Sequence, residues 1–319
     1  MNGFQQQVYN QPAQAVAGDF ASSNPYFTYD AGPGGLVAGS LGLTIGRFAW
    51  VGGTLDPNSA PQIANSFGFG PVAGFVHRDQ QGLNTVFLSD AGMAYLQGFP
   101  VTLMTGGDFW VVNVGSAQAL IGQKAFARLV DGAVAFAAAG GAPTGSQASD
   151  AGGAVVSTTL TLVGSVSGNI LTVTSVSAGT VYPGAVLNSN AVGTVQPYGT
   201  GGTTGTGGAG TYMLDVGEQS VAAGTTIGGL YGVYTAGTVT GTMTVGMILS
   251  GGTTLLAGAA LTKLLTGTGG TGSTFAVAAG TTSQTSHALT GSSYVETKWY
   301  AMSSGLTNEL VKITDHPTG

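Results

Sequence analysis

Short runs of alternating apolar and polar residues, separated by turn-forming residues, recur along most of this chain. The densest stretch runs from Phe99 to Ala139. Phe99-Pro-Val-Thr-Leu-Met-Thr leads to Gly106-Gly-Asp-Phe-Trp-Val-Val-Asn-Val, and two apolar arms, Ile121 to Val130 and Ala133 to Ala137, then flank Asp131-Gly132. In the first arm Ala125, Ala127 and Leu129 alternate with Phe126, Arg128 and Val130. That period of two lets one face of a strand bury. Asp-Gly between two such arms predicts a hairpin closed by a type I′ turn, whose two central residues need positive φ. The pattern makes this stretch the centre of a compact antiparallel β-domain.

Upstream, residues 1–17 are polar, Gln-rich and aperiodic, as expected for an extended arm. After the turn Ala31-Gly-Pro-Gly-Gly35, residues 36–51 carry the alternating Leu41, Leu43 and Ile45 and then Phe48 and Trp50, which predicts one or two strands. Residues 52–69 read as a surface loop turning at Asp56-Pro57-Asn58, residues 83–88 as a strand, and residues 92–98 as a loop. Near the C-terminus, Tyr294-Val-Glu-Thr-Lys-Trp-Tyr-Ala and Leu306 to Thr314 return to the same alternating style.

Between them the pattern changes. From Ala151 to Thr290 the charges are Asp215, Glu218 and Lys263, and Trp50, Trp110 and Trp299 all lie outside. Thr204-Gly-Thr-Gly-Gly-Ala-Gly210 returns as Thr266-Gly-Thr-Gly-Gly-Thr-Gly272, an offset of 62 residues. Gly179, Thr180, Gly184 and Leu187 match Gly241, Thr242, Gly246 and Leu249 at the same offset. Glycines in constant register indicate tandem units. The expected organisation is a core of residues 1–150 and 292–319, with 151–291 inserted as two small β modules near 163–229 and 230–291. An exposed loop whose ends lie close is where such an insertion is tolerated.

Composition sharpens this reading. Of 319 residues 57 are Gly, 6% are charged and 43% are hydrophobic. The charged fraction is far below the roughly 25% of typical soluble domains. Disorder needs low hydrophobicity with high charge, and collagen needs Gly at every third position; neither applies. A β-rich protein with many tight turns remains, of the kind found in shells, fibres and adhesins. There is no cysteine for a disulfide or thiolate site. A net charge of −6 argues against nucleic-acid phosphate as a partner. The N-terminus lacks a signal-peptide pattern and no apolar run approaches a membrane span. A soluble building block made in the cytoplasm is expected.

Candidate chemistry is sparse. Gly205–Gly210 and Gly267–Gly272 satisfy G-x-G-x-x-G, but strand-like residues follow where a dinucleotide site needs a helix N-terminus. They read as turns. His77-Arg78-Asp79 spells a kinase triplet without its accompanying elements, so His77 reads as a structural residue and Arg78 with Asp79 as an ion pair or interface contact. His287 and His316 have no partner at zinc-ligand spacing. No cofactor, metal site or catalytic residue is assigned, and no enzyme is expected. Phe48, Trp50, Phe109, Trp110, Trp299 and Tyr300 could form a stacking platform, but their place in apolar strand runs favours core packing.

Several motifs resemble the cement (capsid decoration) proteins of tailed bacteriophages. They are Gln11-Pro-Ala-Gln-Ala-Val-Ala-Gly-Asp-Phe-Ala-Ser-Ser-Asn-Pro25, Ala31-Gly-Pro-Gly-Gly-Leu-Val-Ala-Gly39, Ile45-Gly-Arg-Phe-Ala-Trp50, Gly74-Phe-Val-His-Arg-Asp-Gln-Gln81, Gly106-Gly-Asp-Phe-Trp-Val111, Ile121-Gly-Gln-Lys-Ala125, Glu296-Thr-Lys-Trp299 and Asn308-Glu-Leu-Val-Lys-Ile313. They cover roughly 1–139 and 293–315, while the insert resembles Gly/Thr-rich β repeats of phage structural proteins. The resemblance implies an all-β, jelly-roll-like β-sandwich on the outer surface of the virion capsid, bound to the major capsid protein and to itself as a dimer or trimer. On that basis Phe4, Val8, Tyr9, Phe20, Tyr26, Phe27, His77 and Arg78 are candidate partner contacts. The insert would project outward, available to host-surface glycans. A tail-fibre or adhesin-type receptor-binding protein is the alternative.

Overall fold

A computed structural model describes residues 15–32, 34–39, 41–54, 62–68, 70–79, 92–197, 202–215, 219–251, 259–278 and 283–316. The chain is all-β. The strands before the Gly/Thr-rich region are β1 (Phe27–Thr28), β2 (Leu36–Ala38), β3 (Leu43–Thr44), β4 (Phe48–Thr54), β5 (Gln62–Asn65), β6 (Gly74–Val76), β7 (Ala94–Tyr95), β8 (Leu103–Gly106), β9 (Asp108–Val112), β10 (Lys124–Arg128) and β11 (Val134–Ala137). Within the region come β12 (Gln147–Gly168), β13 (Ile170–Ala178), β14 (Val186–Ser189), β15 (Val192–Thr194), β16 (Gly210–Met213), β17 (Gln219–Thr235), β18 (Val239–Thr240), β19 (Ile248–Gly251), β20 (Leu261–Thr266), β21 (Thr274–Val277) and β22 (Gln284–Ser292). Strands β23 (Tyr294–Ala301) and β24 (Leu310–Thr314) follow it.

Two sheets pack as a sandwich. One has the order β1-β8-β6-β4-β5-β2, the other β11-β10-β23-β24-β9. The C-terminal strands therefore lie between β10 and β9. Alternation decides which side chains meet: Phe48, Trp50, Phe75 and Met104 from the first sheet share a core with Phe109, Val111, Ala125, Ala127, Trp299, Val311 and Ile313 from the second. The intervening residues of the first sheet, Ala49, Val76 and Leu103, face a separate cluster with Leu36, Leu43 and Tyr95. The second sheet curls, so that Asn113 beyond the β9 edge bridges Val134 of β11.

The expected hairpin forms, with Ala125 opposite Phe136 and Ala127 opposite Val134. Its turn is not type I′. The Arg128 amide bonds the Ala133 carbonyl at 2.8 Å, which leaves a four-residue loop, Leu129–Gly132, in which Gly132 alone has positive φ (69°). Tertiary contacts choose this shape. The Asp131 carboxylate takes Arg128 Nη2 at 2.6 Å and Arg47 Nη1 at 2.8 Å. Burial would raise the Asp131 pKa, but Arg128 and then Arg47 hold it below the usual carboxylate range. The Gly132 carbonyl accepts the Phe48 amide at 2.9 Å, and a Cβ at Gly132 would overlap the Phe48 carbonyl oxygen.

Other departures are local. Residues 36–51 give three strands, not one or two, because Gly42 and Gly46 turn the chain between them. Two predicted loops contain strands. β5 runs parallel to β2 and antiparallel to β4, and β7 pairs with β3. Residues 55–60, with the expected Asp56-Pro57-Asn58 turn, and the predicted strand 83–88 lie outside the described residues.

Residues 147–292 supply one eleven-stranded sheet with β12 and β17 paired along its spine. It covers two hydrophobic clusters, one holding Leu160, Leu162, Leu187 and Tyr231, the other Val155, Tyr234, Leu249 and Phe275. The repeated positions make matching bonds: Val181 N to Gly207 O at 2.9 Å, and Met243 N to Gly269 O at 2.8 Å. Both glycine-rich stretches lead into strands, β16 and β21. The sheet joins the sandwich where Leu129 N bonds Ser293 O and Ser293 N bonds Ser146 O, both at 2.9 Å. Further along β12, Asp150 is buried and accepts bonds from the Tyr234 hydroxyl, Gly152 N and Gly237 N.

Candidate partner-binding surface

The exposed edge of β9 would present unpaired backbone groups, and the N-terminal segment covers it. Gly18 N donates to Trp110 O at 2.7 Å, Trp110 N to Asp19 O at 3.0 Å, and Ala21 N to Asp108 O at 2.9 Å. Residues 18–21 thus form a strap along the second sheet before the chain crosses to the first sheet as β1. Gly18 has φ +91°, and a Cβ there would run into Ile45. Its carbonyl takes the Arg78 amide at 3.0 Å, which ties the strap to the end of β6.

The strap places Phe20 opposite Phe109. The Phe20 ring lies 5.3 Å from Phe109, 4.9 Å from Tyr26 and 4.5 Å edge-on from His77. Phe109 continues to Phe75, Phe48 and Trp299 at centroid separations of 4.6, 5.5 and 5.1 Å. A column of rings therefore runs from the surface into the core, each pair contributing about 0.5–1.5 kcal/mol beyond burial. At its outer end Phe20 is 38% exposed and Tyr26 56%, and the next residue, Phe27 of β1, is 57% exposed.

Asp108 latches this surface. It is 3% exposed, and its Oδ2 accepts Ser22 Oγ at 2.6 Å and Asn24 Nδ2 at 2.8 Å. Lys312 Nζ stands 3.9 Å away. Burial pushes the Asp108 pKa up, but Ser22, Thr314, Asn24 and Lys312 together hold it below the usual carboxylate range. Sequence reasoning missed this residue. The signal available was a lone acid inside the apolar run Gly106–Val111.

The sequence-derived candidates fall into two groups. Phe20, Tyr26 and His77 are in contact, Phe27 adjoins them beside Gly106, and Arg78 reaches Asp19 of the strap at 4.0 Å. Phe4, Val8 and Tyr9 lie outside the described residues. His77 is half-buried, its Nδ1 has no hydrogen-bond partner among the described residues, and burial lowers its pKa against the pull of Asp79 and Asp19. Phe48, Trp50, Phe109 and Trp299 are buried, as expected for core rings, whereas Trp110 and Tyr300 are partly exposed.

No group of three or more His, Asp or Glu residues among those described could hold a metal ion. No helix among them is long and apolar enough to cross a membrane. The surface offers apolar area and hydrogen-bonding groups for contact.

No curated protein matches the chain. The family model described as XM1 gp53 minor capsid protein matches residues 4–170, which takes in the strap, every strand from β1 to β12 and more than half of the chain. The protein belongs to this phage minor capsid protein family, and its role is a structural one in the virion.

Proposed function

We propose that the protein is a capsid cement, or decoration, protein that binds the outer surface of the major capsid protein lattice and stabilises the shell. Residues 1–150 and 292–319 form the binding core, and 151–291 project away from the shell, available to host-surface glycans. The observation that carries the reading is the exposed ring surface formed by the strap and the start of β1. Phe20, Tyr26 and Phe27 are held in water by backbone bonds and the Asp108 latch, and aromatic groups so presented are the usual anchors of an interface. A protein that binds only the assembled lattice stabilises it by mass action, and weak contacts repeated over a shell add up.

Quantitative mass spectrometry of purified virions tests this. Copies in a simple lattice ratio to the major capsid protein are expected. A handful per particle would refute the cement role and favour a tail-fibre or adhesin protein. Replacing Phe20, Tyr26 and Phe27 together by Ser should weaken binding to empty shells at least tenfold, and unchanged occupancy would remove the strap from the interface.

A further inference from the structure

Three successive strap residues meet the end of β6. Gly18 O accepts the Arg78 amide at 3.0 Å, Asp19 lies 4.0 Å from the Arg78 guanidinium, and the Phe20 ring meets the His77 ring edge-on at 4.5 Å. Phe109 stands 6.4 Å from the same imidazole, which therefore packs against rings of both the strap and the core. Its Nδ1 is shut off from water and has no hydrogen-bond partner among the described residues. A neutral imidazole carries one N–H and can leave Nδ1 bare, whereas an imidazolium carries two. Protonation thus places a charged donor at Nδ1 where nothing accepts it, among the costliest of buried polar groups. Opening the strap lifts Phe20 away and returns the ring to water, which removes that cost.

The surrounding charges do not cancel this effect. Asp79 on the same segment and Asp19 on the strap favour the imidazolium, and burial outweighs them. The other groups around the site are already engaged. Arg78 faces Asp19, Tyr26 packs on Phe20, the Tyr95 hydroxyl of β7 donates to the His77 carbonyl at 3.4 Å, and Asp108 of β9 holds Ser22 and Asn24. Of these side-chain types, imidazole is the one that ordinarily changes charge between pH 5 and 8.

We propose that His77 is a proton-operated catch on the strap: a neutral ring keeps the strap closed, and protonation opens it and withdraws Phe20 and Tyr26 from the partner surface. The withdrawal rests on the shell-binding reading, whereas the catch stands on the strap alone. An open strap leaves His77 near the ordinary imidazole pKa of about 6.5, above that of the closed form. Closure is therefore at full strength above about pH 6.5 and weakens as pH falls toward the closed-form value, by at most about tenfold per pH unit.

Hydrogen exchange of residues 15–24 in the full-length protein, read by mass spectrometry and corrected for its intrinsic pH dependence, tests the catch. From pH 7.5 to 5.0 the opening ratio should rise about threefold or more, while β10 and β23 keep their protection. His77→Phe keeps a ring in the column and His77→Asn keeps a polar group, and neither takes up a proton. Each should show one opening ratio at both pH values. An unchanged wild-type ratio, an equal rise in the variants, or parallel loss of protection in β10 and β23 would overturn the catch. Binding to empty shells tests the withdrawal. Wild type should bind about threefold or more weakly at pH 5.0, and His77→Phe equally at both values. Equal wild-type binding at the two values, or equal weakening in both proteins, would overturn the withdrawal. No binding at either value would refute the shell-binding reading, and the exchange result would still decide the catch.

Discussion

Replacing Asp108 by Ala should release the N-terminal strap without unfolding the sandwich. The substitution removes two charge-assisted hydrogen bonds, from Ser22 and Asn24, each worth about 1.5–3 kcal/mol. Asn24 is exposed and Ser22 half-buried, so both donors regain water and the lower figure applies. Removing a nearly fully buried carboxylate also removes its desolvation cost, which offsets part of the loss. The balance is about 2 kcal/mol against strap closure, roughly 30-fold in the opening equilibrium. Amide hydrogen exchange reads it directly. Gly18 and Ala21 should exchange roughly 30-fold faster in the variant, while β10 and β23 keep wild-type protection. Unchanged exchange at Gly18 and Ala21 would refute the latch, and lost protection throughout would refute its local character. The pH dependence has a fixed sign. The folded pKa of Asp108 lies below its unfolded value of about 3.9. Its contribution is therefore present above that value and is lost as pH falls through the folded value. The wild-type strap should loosen in that acid range, and the Ala variant should lack the transition.

Three further substitutions probe other joints. Tyr234→Phe removes a donor from the buried Asp150, and calorimetry should show a loss of about 1–3 kcal/mol; an unchanged melting temperature would mean that Gly152 N and Gly237 N suffice. Gly132→Ala places a Cβ against the Phe48 carbonyl at a residue with φ 69°, so the purified variant should be destabilised by more than about 1 kcal/mol, and a wild-type urea midpoint would contradict the close approach. Burial lowers the His77 pKa against the pull of Asp79 and Asp19, so the unfolded state binds its proton more readily and stability should fall as pH drops below about 6.5. Urea titrations at pH 7.5 and 5.5 should show a smaller difference for His77→Asn than for wild type, and equal differences would exclude His77 as the source.

The hairpin at Asp131-Gly132 was legible because its signal is local: two alternating arms and a turn pair. Its turn geometry was not, since it depends on Arg47 and Phe48, more than 80 residues upstream. Strand β5 hid for a similar reason. Gln-Ile-Ala-Asn shows no strong alternation and becomes a strand because β4 and β2 supply bonding edges on both sides. At the surface, Phe20, Tyr26 and His77 could be named individually, but their meeting depends on Phe109, which periodicity assigns to the core. Asp108 is the sharper case. A lone acid in an apolar run is visible, yet its donors Ser22 and Asn24 sit in a polar stretch with no strand period.

The repeat shows how far glycine register can carry an argument. Ala185 N to Tyr182 O and Met247 N to Thr244 O are the same turn 62 residues apart, and Leu187 and Leu249 are each buried beside their own copy. Glycine spacing reports such turns because few other residues adopt their backbone. It does not report which strands bridge the copies. β12 gives Ala148 and Val155 to one cluster but Leu160 and Leu162 to the other. β17 likewise gives Tyr234 to the first and Ile227 and Tyr231 to the second. Each copy thus completes its core with residues of strands that its neighbour also uses, which is why one repeat unit cannot bury its apolar face alone. The 22-residue length of β12 follows from that sharing: one strand must span both clusters while its first residues meet the sandwich at Ser146 and Ser293.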